Sequence, residues 1–301
     1  MRVATIDIGT NTILMLIVEV NNKDYKIISQ HFSTPRLGEG VDKTNVISEN
    51  SCKRAFEVLE TYKQIIEDLS IVKVIANATS ALRDASNKID IKSRLEIALG
   101  SPISIISGEE EAYFSFIGAV DTTSKTALID VGGGSTEIMI GKNNKIIERY
   151  SYQLGVVRLT ERIFNYIAPI SKSKIDEAIA YTSDILSKHK INLSGLPLFA
   201  VSGTPCALAT SIKGLPDSDA DKINGSKLYK SEIYDLLIKF SKLKPDEIST
   251  KYRINPKRAD LITAGALILY VILDINNIDY LIVSSKGLRF GILQNYLNSI
   301  N

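Results

Sequence analysis

Short apolar runs separated by turns of small polar residues open the chain. The run from Val3 to Val20 predicts two β-strands joined by a tight turn at Gly9 to Thr12, because β-branched and large apolar residues flank small turn formers. A third strand with a glycine-containing loop follows in KIISQHFSTPRLGEG. Beyond it, apolar residues recur at helical spacing and predict a helix that buries Cys52, Ala55, Phe56, Leu59, Tyr62 and Ile66.

Two strand, loop and helix patterns come next. The stretch VKVIANATSALRDASN predicts a buried strand that runs into a loop, where Thr79 or Ser80 caps a helix beginning near Ala81. The stretch PISIISGEEEAYFSFIGAV repeats this pattern. Strands that alternate with helices in this way are typical of α/β domains.

The second half of the chain resembles the first. Aligned on Asp7 and Asp130, ATIDIGTNTILMLIV and ALIDVGGGSTEIMIG share a strand, an aspartate, a small polar turn and a second strand, at an offset of 130 minus 7, or 123 residues. Further predicted elements are helices around Ile175 to Leu186 and Leu228 to Phe240 and strands at Leu198 to Val201 and Tyr280 to Val283. We expect two alike α/β domains, 1–120 and 121–301, facing each other across a cleft. The last helix is a candidate to pack back on the first domain.

Composition and charge narrow the class of protein. The 301 residues are 45% hydrophobic, enough to bury two cores, and 36 basic against 34 acidic residues leave a net charge of +2. No nucleic acid or membrane partner is indicated by that balance, so any anion site must be local. The uncharged run between Asp260 and Asp274 is too short to span a bilayer, which needs about 20 residues.

Cysteine and histidine usage argues against two kinds of site. Cys52 and Cys206 lack metal-ligand spacing and sit among apolar residues, so we predict small core residues in a reducing cytoplasm. His31 and His189 are the only histidines, which gives poor support to a zinc site or a Ser/His/Asp triad. Catalysis must therefore use carboxylates. A signal peptide is not expected, because Asp7 interrupts the first apolar run and no cleavage site follows.

The two glycine turns are candidate phosphate sites. A strand, a turn of Gly and Ser or Thr, and a second strand expose backbone N–H groups that suit phosphate oxygens. Each turn taken alone could equally belong to an ordinary β-hairpin. Asp7 and Asp130 favour the site, because a carboxylate in an apolar strand needs a metal, its waters or hydrogen-bond donors. Neither turn matches a Walker A or Rossmann fingerprint.

Acidic and basic residues near these turns have two interpretations each. Glu109, Glu110 and Glu111 open a predicted helix, where negative charge is favourable, but one of them could orient a water molecule as a general base. Arg83 and Arg158 are either surface charges or phosphate clamps, for which guanidinium geometry is suited.

Eight ordered stretches together resemble a known family. They are DIGTNTILM, RLGEGV, ATSALRDASN, ISGEEEA, LIDVGGGSTE, LGVVRLTERIF, VSGTPCALA and RADLITAGALIL, and they cover nearly the whole chain. The sequence resembles the short, two-domain form of the exopolyphosphatase and guanosine pentaphosphate phosphohydrolase family, within the superfamily of actin, sugar kinases and Hsp70-type ATPases. The resemblance implies an α/β fold of two ribonuclease H-like domains with an interdomain cleft.

The resemblance also implies roles for individual residues. The catalytic base falls on Glu111 with Glu110 beside it, and the clamping arginine falls on Arg83. Substrate phosphates are implied to bind Gly9, Thr10, Asn11, Thr12, Gly132, Gly133, Gly134, Ser135, Thr136, Arg158, Gly203 and Thr204. Mg²⁺ is implied as the cofactor, with Asp7, Asp130 and Glu137 as its ligands. The segment SSKGLRFG departs from the family pattern and places Ser285, Lys286 and Phe290 where other residues are common.

Several functions remain open at this point. The leading hypothesis is an exopolyphosphatase that releases orthophosphate from the end of linear polyphosphate, and a guanosine pentaphosphate 5′-phosphohydrolase would use the same loops. Retention of Glu111 and Arg83 speaks against a non-catalytic alarmone or nucleotide-binding regulator. The stretch SGEEEA disfavours a sugar or acetate kinase. The oligomeric state, including a homodimer, stays open.

Overall fold

The computed structural model describes residues 1–21, 24–120, 123–216 and 222–300. The chain forms two compact units, one of Met1–Gly118 with Leu288–Asn301 and one of Ala119–Gly287. The C-terminal helix thus belongs to the first unit, and the second unit begins two residues before position 121. Residue 121, where the predicted second domain starts, lies outside the described residues.

The first unit contains the hairpin, the long helix and both strand, loop and helix patterns. Its elements are β1 (Arg2–Ile8), β2 (Ile13–Asn21), β3 (Asp24–Ser33), α1 (Val41–Thr44), α2 (Glu49–Asp68), β4 (Lys73–Ala78), α3 (Ser80–Asp84), α4 (Lys88–Leu99), β5 (Ile103–Ile105), α5 (Gly108–Ala119) and, from the end of the chain, α13 (Leu288–Ser299).

The predicted long helix is confirmed as α2. Ser48 precedes it, and its hydroxyl accepts a hydrogen bond from the Ser51 backbone N–H at 3.1 Å, which caps the first turn. The buried face consists of residues that recur at helical spacing, namely Ser51, Cys52, Ala55, Leu59, Tyr62 and Ile66. The period of the apolar positions was therefore sufficient to place this helix.

Within the described residues, the strands of the first unit form a five-stranded sheet in the order β3-β2-β1-β4-β5. The first three strands run antiparallel, and β4 and β5 join them in parallel. This order and direction confirm a ribonuclease H-like sheet. Successive side chains of a strand point to opposite faces, so Ile6 and Ile8 pack with α2 while Val3 packs with Phe290 and Leu293 of α13.

The second unit repeats this plan with additional helices. Its elements are β6 (Thr126–Val131), β7 (Thr136–Lys142), β8 (Lys145–Tyr152), α6 (Val156–Leu159), a π-helical turn (Thr160–Phe164), α7 (Lys172–Ser187), β9 (Leu198–Val201), α8 (Gly203–Ile212), β10 (Lys227–Tyr229), α9 (Lys230–Ser241), α10 (Pro245–Tyr252), α11 (Pro256–Ala259), α12 (Ile262–Ile275) and β11 (Tyr280–Val283).

The sheet of the second unit has the order β10-β11-β9-β6-β7-β8 among the described strands. Without β10 it matches the first sheet, since β6, β7 and β8 are antiparallel and β9 and β11 run parallel to β6. The predicted helix from Leu228 is shortened at its start, because Lys227–Tyr229 pairs with β11 as an edge strand. The α/β class and the ribonuclease H-like fold are both confirmed.

The uncharged run near Asp260 forms a buried helix. Helix α12 is almost entirely buried and packs against α7, α8 and α9. In the described ranges, no helix has both the length and the apolar character needed to cross a membrane. Cys52 and Cys206 are both buried, which confirms the predicted core positions.

Candidate functional site

The turn between β1 and β2 closes on itself through its first glycine. The Gly9 backbone N–H donates to the Thr12 carbonyl oxygen at 2.9 Å, directly inside the last strand pair, Ile8 and Ile13. A Cβ at position 9 would lie 3.2 Å from that same oxygen, which is tighter than an ordinary contact. A glycine at this position therefore allows the narrow turn.

The turn between β6 and β7 has the same geometry. The Gly132 N–H donates to the Ser135 carbonyl oxygen at 2.9 Å, inside the strand pair Val131 and Thr136. A Cβ at position 132 would also lie 3.2 Å from the carbonyl oxygen. Each of these positions follows its counterpart in the first unit by 123 residues, so the weak sequence repeat corresponds to a repeated backbone structure.

Gly38 and Ser80, from two other segments of the first unit, both form hydrogen bonds with Thr10 of the first turn. The Gly38 N–H donates to the Thr10 carbonyl at 2.8 Å, and the Thr10 hydroxyl pairs with the Ser80 hydroxyl at 2.9 Å. Ser80 does not cap α3, because its hydroxyl faces Thr10 instead. Thr79 occupies the N-cap position but forms no side-chain capping bond within the described structure. The predicted cap position is therefore confirmed at Thr79, but the side-chain capping bond expected there does not form.

Asn11, in the same turn, has a distinctive environment. Its amide oxygen is buried and has no hydrogen-bond partner among the described residues. An amide oxygen only accepts hydrogen bonds, so it suits a water molecule rather than an ionised phosphate oxygen, whereas the amide NH₂ can donate to phosphate. Of the two groups, the amide NH₂ is the one that fits the predicted phosphate-binding role of this turn.

Helix α6 packs on the second turn. The backbone N–H groups of Val156 and Val157 donate to the carbonyls of Gly132 and Gly133 at 3.0 and 2.9 Å. The Arg158 Nε donates to the Gly134 carbonyl at 2.8 Å, which holds the predicted clamp beside the glycines. The carbonyl side of the turn is thus bound to α6.

The Gly155 backbone approaches the second turn closely. A Cβ at position 155 would fall on the Gly133 carbonyl group and lie 2.6 Å from the Gly134 carbonyl carbon. Its φ of −142° is extended and open to any residue, so this glycine is required for steric reasons alone. Sequence reasoning missed Gly155, since nothing in the local pattern signals a contact with residues 133 and 134.

Two acids lie side by side in the second unit. Asp130 and Glu137 are directly paired across β6 and β7, so their side chains project from the same face. Glu137 is only 7% exposed, and the Ser151 hydroxyl donates to its Oε1 at 2.7 Å. In the first unit the residue paired with Asp7 on β2 is Leu14. The second unit therefore carries two carboxylates side by side, whereas Asp7 has no carboxylate opposite it on β2.

The predicted base and clamp contact each other in the first unit. The Arg83 Nη1 donates to the Glu111 Oε2 at 2.8 Å and to the Ile106 carbonyl at 3.1 Å. Both side chains are largely buried, with 27% of Arg83 and 17% of Glu111 exposed. Arg83 lies one turn beyond Ser80 on α3, which contacts the first glycine turn.

Glu110 has a different environment from Glu111. Its Oε2 accepts hydrogen bonds from the backbone N–H and the hydroxyl of Ser107, both at 2.9 Å, and the Glu110 N–H donates back to that hydroxyl. This reciprocal arrangement is a capping box at the start of α5. The structure gives Glu110 a capping role, and its catalytic role stays a prediction.

The third predicted loop begins α8. Gly203 is the first helical residue, and Thr204 is buried against α12, where a Cβ at Gly265 would lie 2.5 Å from the Thr204 Oγ1. The departing segment near the C-terminus is structural in part, because Phe290 is 4% exposed and packs against the sheet of the first unit. Ser285 donates its backbone N–H to the Asn224 Oδ1 at 3.0 Å.

Comparisons with known proteins find similar sequences along most of the chain. The model of the Ppx/GppA phosphatase family matches residues 16–300. A bifunctional 3-dehydroquinate synthase/phosphatase of Fusobacterium nucleatum is 33% identical, with 96% of this chain and 45% of that protein covered. Exopolyphosphatase 2 of Mycobacterium tuberculosis is 28% identical over 89% of this chain and 88% of that protein.

A solved structure shows the same fold. The crystal structure of the Aquifex aeolicus member of the Ppx/GppA family aligns with a TM-score of 0.83 at 29% identity, covering 100% of this chain and 99% of that one. The chain therefore spans nearly all of this relative but less than half of the Fusobacterium protein.

Proposed function

Because the chain belongs to the Ppx/GppA phosphatase family, we propose that it is an exopolyphosphatase, which releases orthophosphate from the end of linear polyphosphate. The observation that carries this proposal is the contact between Arg83 and Glu111, whose side chains meet at 2.8 Å beside the first glycine turn. A carboxylate and a guanidinium held together supply a proton acceptor and a phosphate ligand in one place.

Binding of the substrate would use the backbone of the glycine turns. The turns at Gly9–Thr12 and Gly132–Thr136 have their carbonyls engaged by neighbouring segments, with Thr10 bonded to Gly38 and Gly133 bonded to α6. Backbone N–H groups of such turns bind phosphate oxygens. This arrangement supports phosphate binding by both turns, although the net charge of the chain is only +2.

The chemical step would transfer a terminal phosphoryl group to water. Glu111 accepts a proton from the attacking water, a bond forms between the water oxygen and the terminal phosphorus, and the bond to the bridging oxygen breaks. The shortened polyphosphate leaves as an anion. Arg83 donates to the phosphate oxygens as charge moves toward the bridging oxygen, which stabilises the transition state. When the substrate binds, before this step, its terminal phosphate competes with Glu111 for Arg83. Binding thus separates the Glu111 carboxylate from Arg83 and leaves it able to accept a proton.

Mg²⁺ fits the acids of the second unit. The described residues include no group of three or more His, Cys, Asp or Glu side chains that could hold a metal ion. The cross-strand pair Asp130 and Glu137 still fits this metal, because Mg²⁺ is usually bound by one or two carboxylates together with substrate phosphates and waters. Asp7 is the third predicted ligand. When bound, Mg²⁺ would offset negative charge on the phosphate oxygens.

The proposal is tested by orthophosphate release from purified protein with Mg²⁺. Long-chain polyphosphate and guanosine pentaphosphate are compared, with Glu111→Gln as the control because it keeps the shape of the side chain and removes the base. We expect release from polyphosphate, reduced about 10²-fold or more in the variant.

The other outcomes separate the remaining functions. Faster release from guanosine pentaphosphate would identify a 5′-phosphohydrolase that uses the same loops. Tight binding of either ligand without release would identify a binding regulator. Release that Glu111→Gln leaves unchanged would remove Glu111 from the mechanism.

A further inference from the structure

Ser202, between β9 and α8, has a backbone conformation that side chains rarely adopt. Its φ is 83° and its ψ is −176°, a region populated almost only by glycine. Such a conformation persists only where the surrounding structure enforces it. The Ser202 hydroxyl donates to the Val131 carbonyl at 2.7 Å, and Val131 immediately precedes the glycine turn Gly132–Thr136.

A buried arginine lies on the other side of this residue. Arg258, at the end of α11, is 7% exposed, and its Nη1 donates to the Gly203 carbonyl at 3.0 Å. A Cβ at Gly203 would lie 2.7 Å from the guanidinium carbon. The guanidinium plane therefore occupies the space that a side chain at position 203 would need.

The charge of Arg258 is unusual for this position. The N-terminus of a helix carries a partial positive charge, so a cation beside the first residue of α8 is electrostatically unfavourable for the helix. The hydrogen bond to the Gly203 carbonyl and the close packing against Gly203 contribute to offsetting that cost. Helix dipole stabilisation consequently does not explain why an arginine is buried here.

These contacts form a continuous connection to the second glycine turn. Arg258 is hydrogen-bonded to the Gly203 carbonyl, and Gly203 follows Ser202 in the chain. Ser202 in turn is hydrogen-bonded to the carbonyl of Val131, the residue before the turn. We propose that Arg258 and Ser202 are positioning residues that fix the Gly132–Thr136 turn and the start of α8 in one rigid frame. The inference rests on the proposed phosphate-binding role of that turn, and neither residue needs to touch the substrate.

Hydrogen exchange of backbone amides tests the frame without any assay of activity. Arg258→Met removes the bond to Gly203, Ser202→Ala removes the bond to Val131 and keeps the strained backbone, and Ser202→Gly removes the bond and the strain together. We expect peptides covering residues 132–136 to exchange about tenfold faster in all three variants. The equivalent turn at residues 9–12 should be unchanged.

A matched control separates this effect from the loss of any arginine. Arg253 also donates from Nη1 to a glycine carbonyl of the same unit, that of Gly214, at 2.9 Å. Arg253→Met should leave exchange at residues 132–136 as in the wild type. Unchanged exchange in the Arg258→Met and Ser202 variants would overturn the proposal, and Arg258→Lys provides a second test if Arg258→Met fails to fold.

Kinetics then connect the frame with hydrolysis. We expect kcat/KM for polyphosphate to fall about tenfold in Arg258→Met and in Ser202→Ala, and the double variant to lose no more than the worse single variant, because both act on one element. Partial rescue by Arg258→Lys is expected, since lysine can still donate to Gly203. Losses that multiply in the double variant, or wild-type kcat/KM in both single variants, would overturn the common frame. A wild-type protein without hydrolysis would instead contradict the proposed function, and the exchange result would still decide the frame.

Discussion

Substitution of Gly155 by alanine tests whether the shape of the second glycine turn matters for catalysis. The added Cβ would fall on the Gly133 carbonyl and lie 2.6 Å from the Gly134 carbonyl carbon. Ordinary van der Waals contact begins at 3.4 Å, so the Gly134 carbonyl carbon alone requires the turn or α6 to retreat by about 0.8 Å, and the closer Gly133 carbonyl requires a larger shift. Neither neighbour is the flexible end of a side chain, so the backbone itself has to move.

Two effects of different size follow from that displacement. Overpacking of this kind destabilises a protein by about 1–3 kcal/mol. A misplacement of roughly 1 Å at groups that position a substrate can reduce the rate about 10²-fold. We therefore expect Gly155→Ala to lower kcat/KM for polyphosphate by about two orders of magnitude while the protein remains folded.

The assay combines phosphate release with thermal unfolding. Ile233→Val provides the control, because Ile233 is fully buried in α9 and its truncation costs about 0.5–1.5 kcal/mol away from the turn. We expect the control to lower the melting temperature by a few degrees and to keep wild-type kcat/KM. Wild-type kcat/KM in Gly155→Ala would refute the reasoning, because the turn would then tolerate the shift without a functional cost.

Three other changes test separate parts of the site and fold. Glu110→Ala should lower the free energy of unfolding by about 1 kcal/mol through loss of the capping box and keep kcat/KM within a few-fold; a loss as large as that of Glu111→Gln would give Glu110 a catalytic role. Asp130→Asn should raise the Mg²⁺ concentration for half-maximal release about tenfold or more, and an unchanged Mg²⁺ titration would place the metal elsewhere. Asn87→Ala removes two hydrogen bonds to the Ile47 backbone, of 3.1 and 2.9 Å. Urea unfolding should show a loss of about 1–3 kcal/mol at unchanged kcat/KM, and equal midpoints would contradict this.

Local patterns in the sequence were enough to predict the strands of the first unit, the long helix α2 and several elements of the second unit, whereas β8, β10 and α12 were not predicted. The β-branched and apolar run around Asp7 reflects a strand that is buried on both faces, and the helical spacing from Cys52 to Ile66 reflects burial of one face of α2. The repeated turns could be recognised because the same order of aspartate, glycine and small polar residues occurs twice, at an offset of 123 residues. The two strands β9 and β11 also have the predicted bounds.

Contacts between distant segments could not be predicted in this way. Arg258 meets Gly203 across 55 residues, and Ser202 meets Val131 across 71. Neither pair leaves a periodic signal, because a single hydrogen bond constrains one residue at each end. The strained φ of Ser202 was equally hidden, since serine is not the residue that such a conformation favours. Thr79 shows the converse error, in which a good capping residue is present and no capping bond forms.

The repeat also explains why the two units can carry different chemistry. Both units keep the same narrow turn, with equal hydrogen bonds of 2.9 Å from the N–H groups of Gly9 and Gly132. The side chains around the turns have diverged, because Asp130 is paired with Glu137 whereas Asp7 is paired with Leu14. Two adjacent carboxylates repel each other less when donors lie close to them, and the Ser151 hydroxyl is such a donor to Glu137. The first unit instead holds Arg83 and Glu111 beside its turn and would supply the base. The two units thus share one backbone design around the turn, and they differ in the residues on the strand and helix next to it.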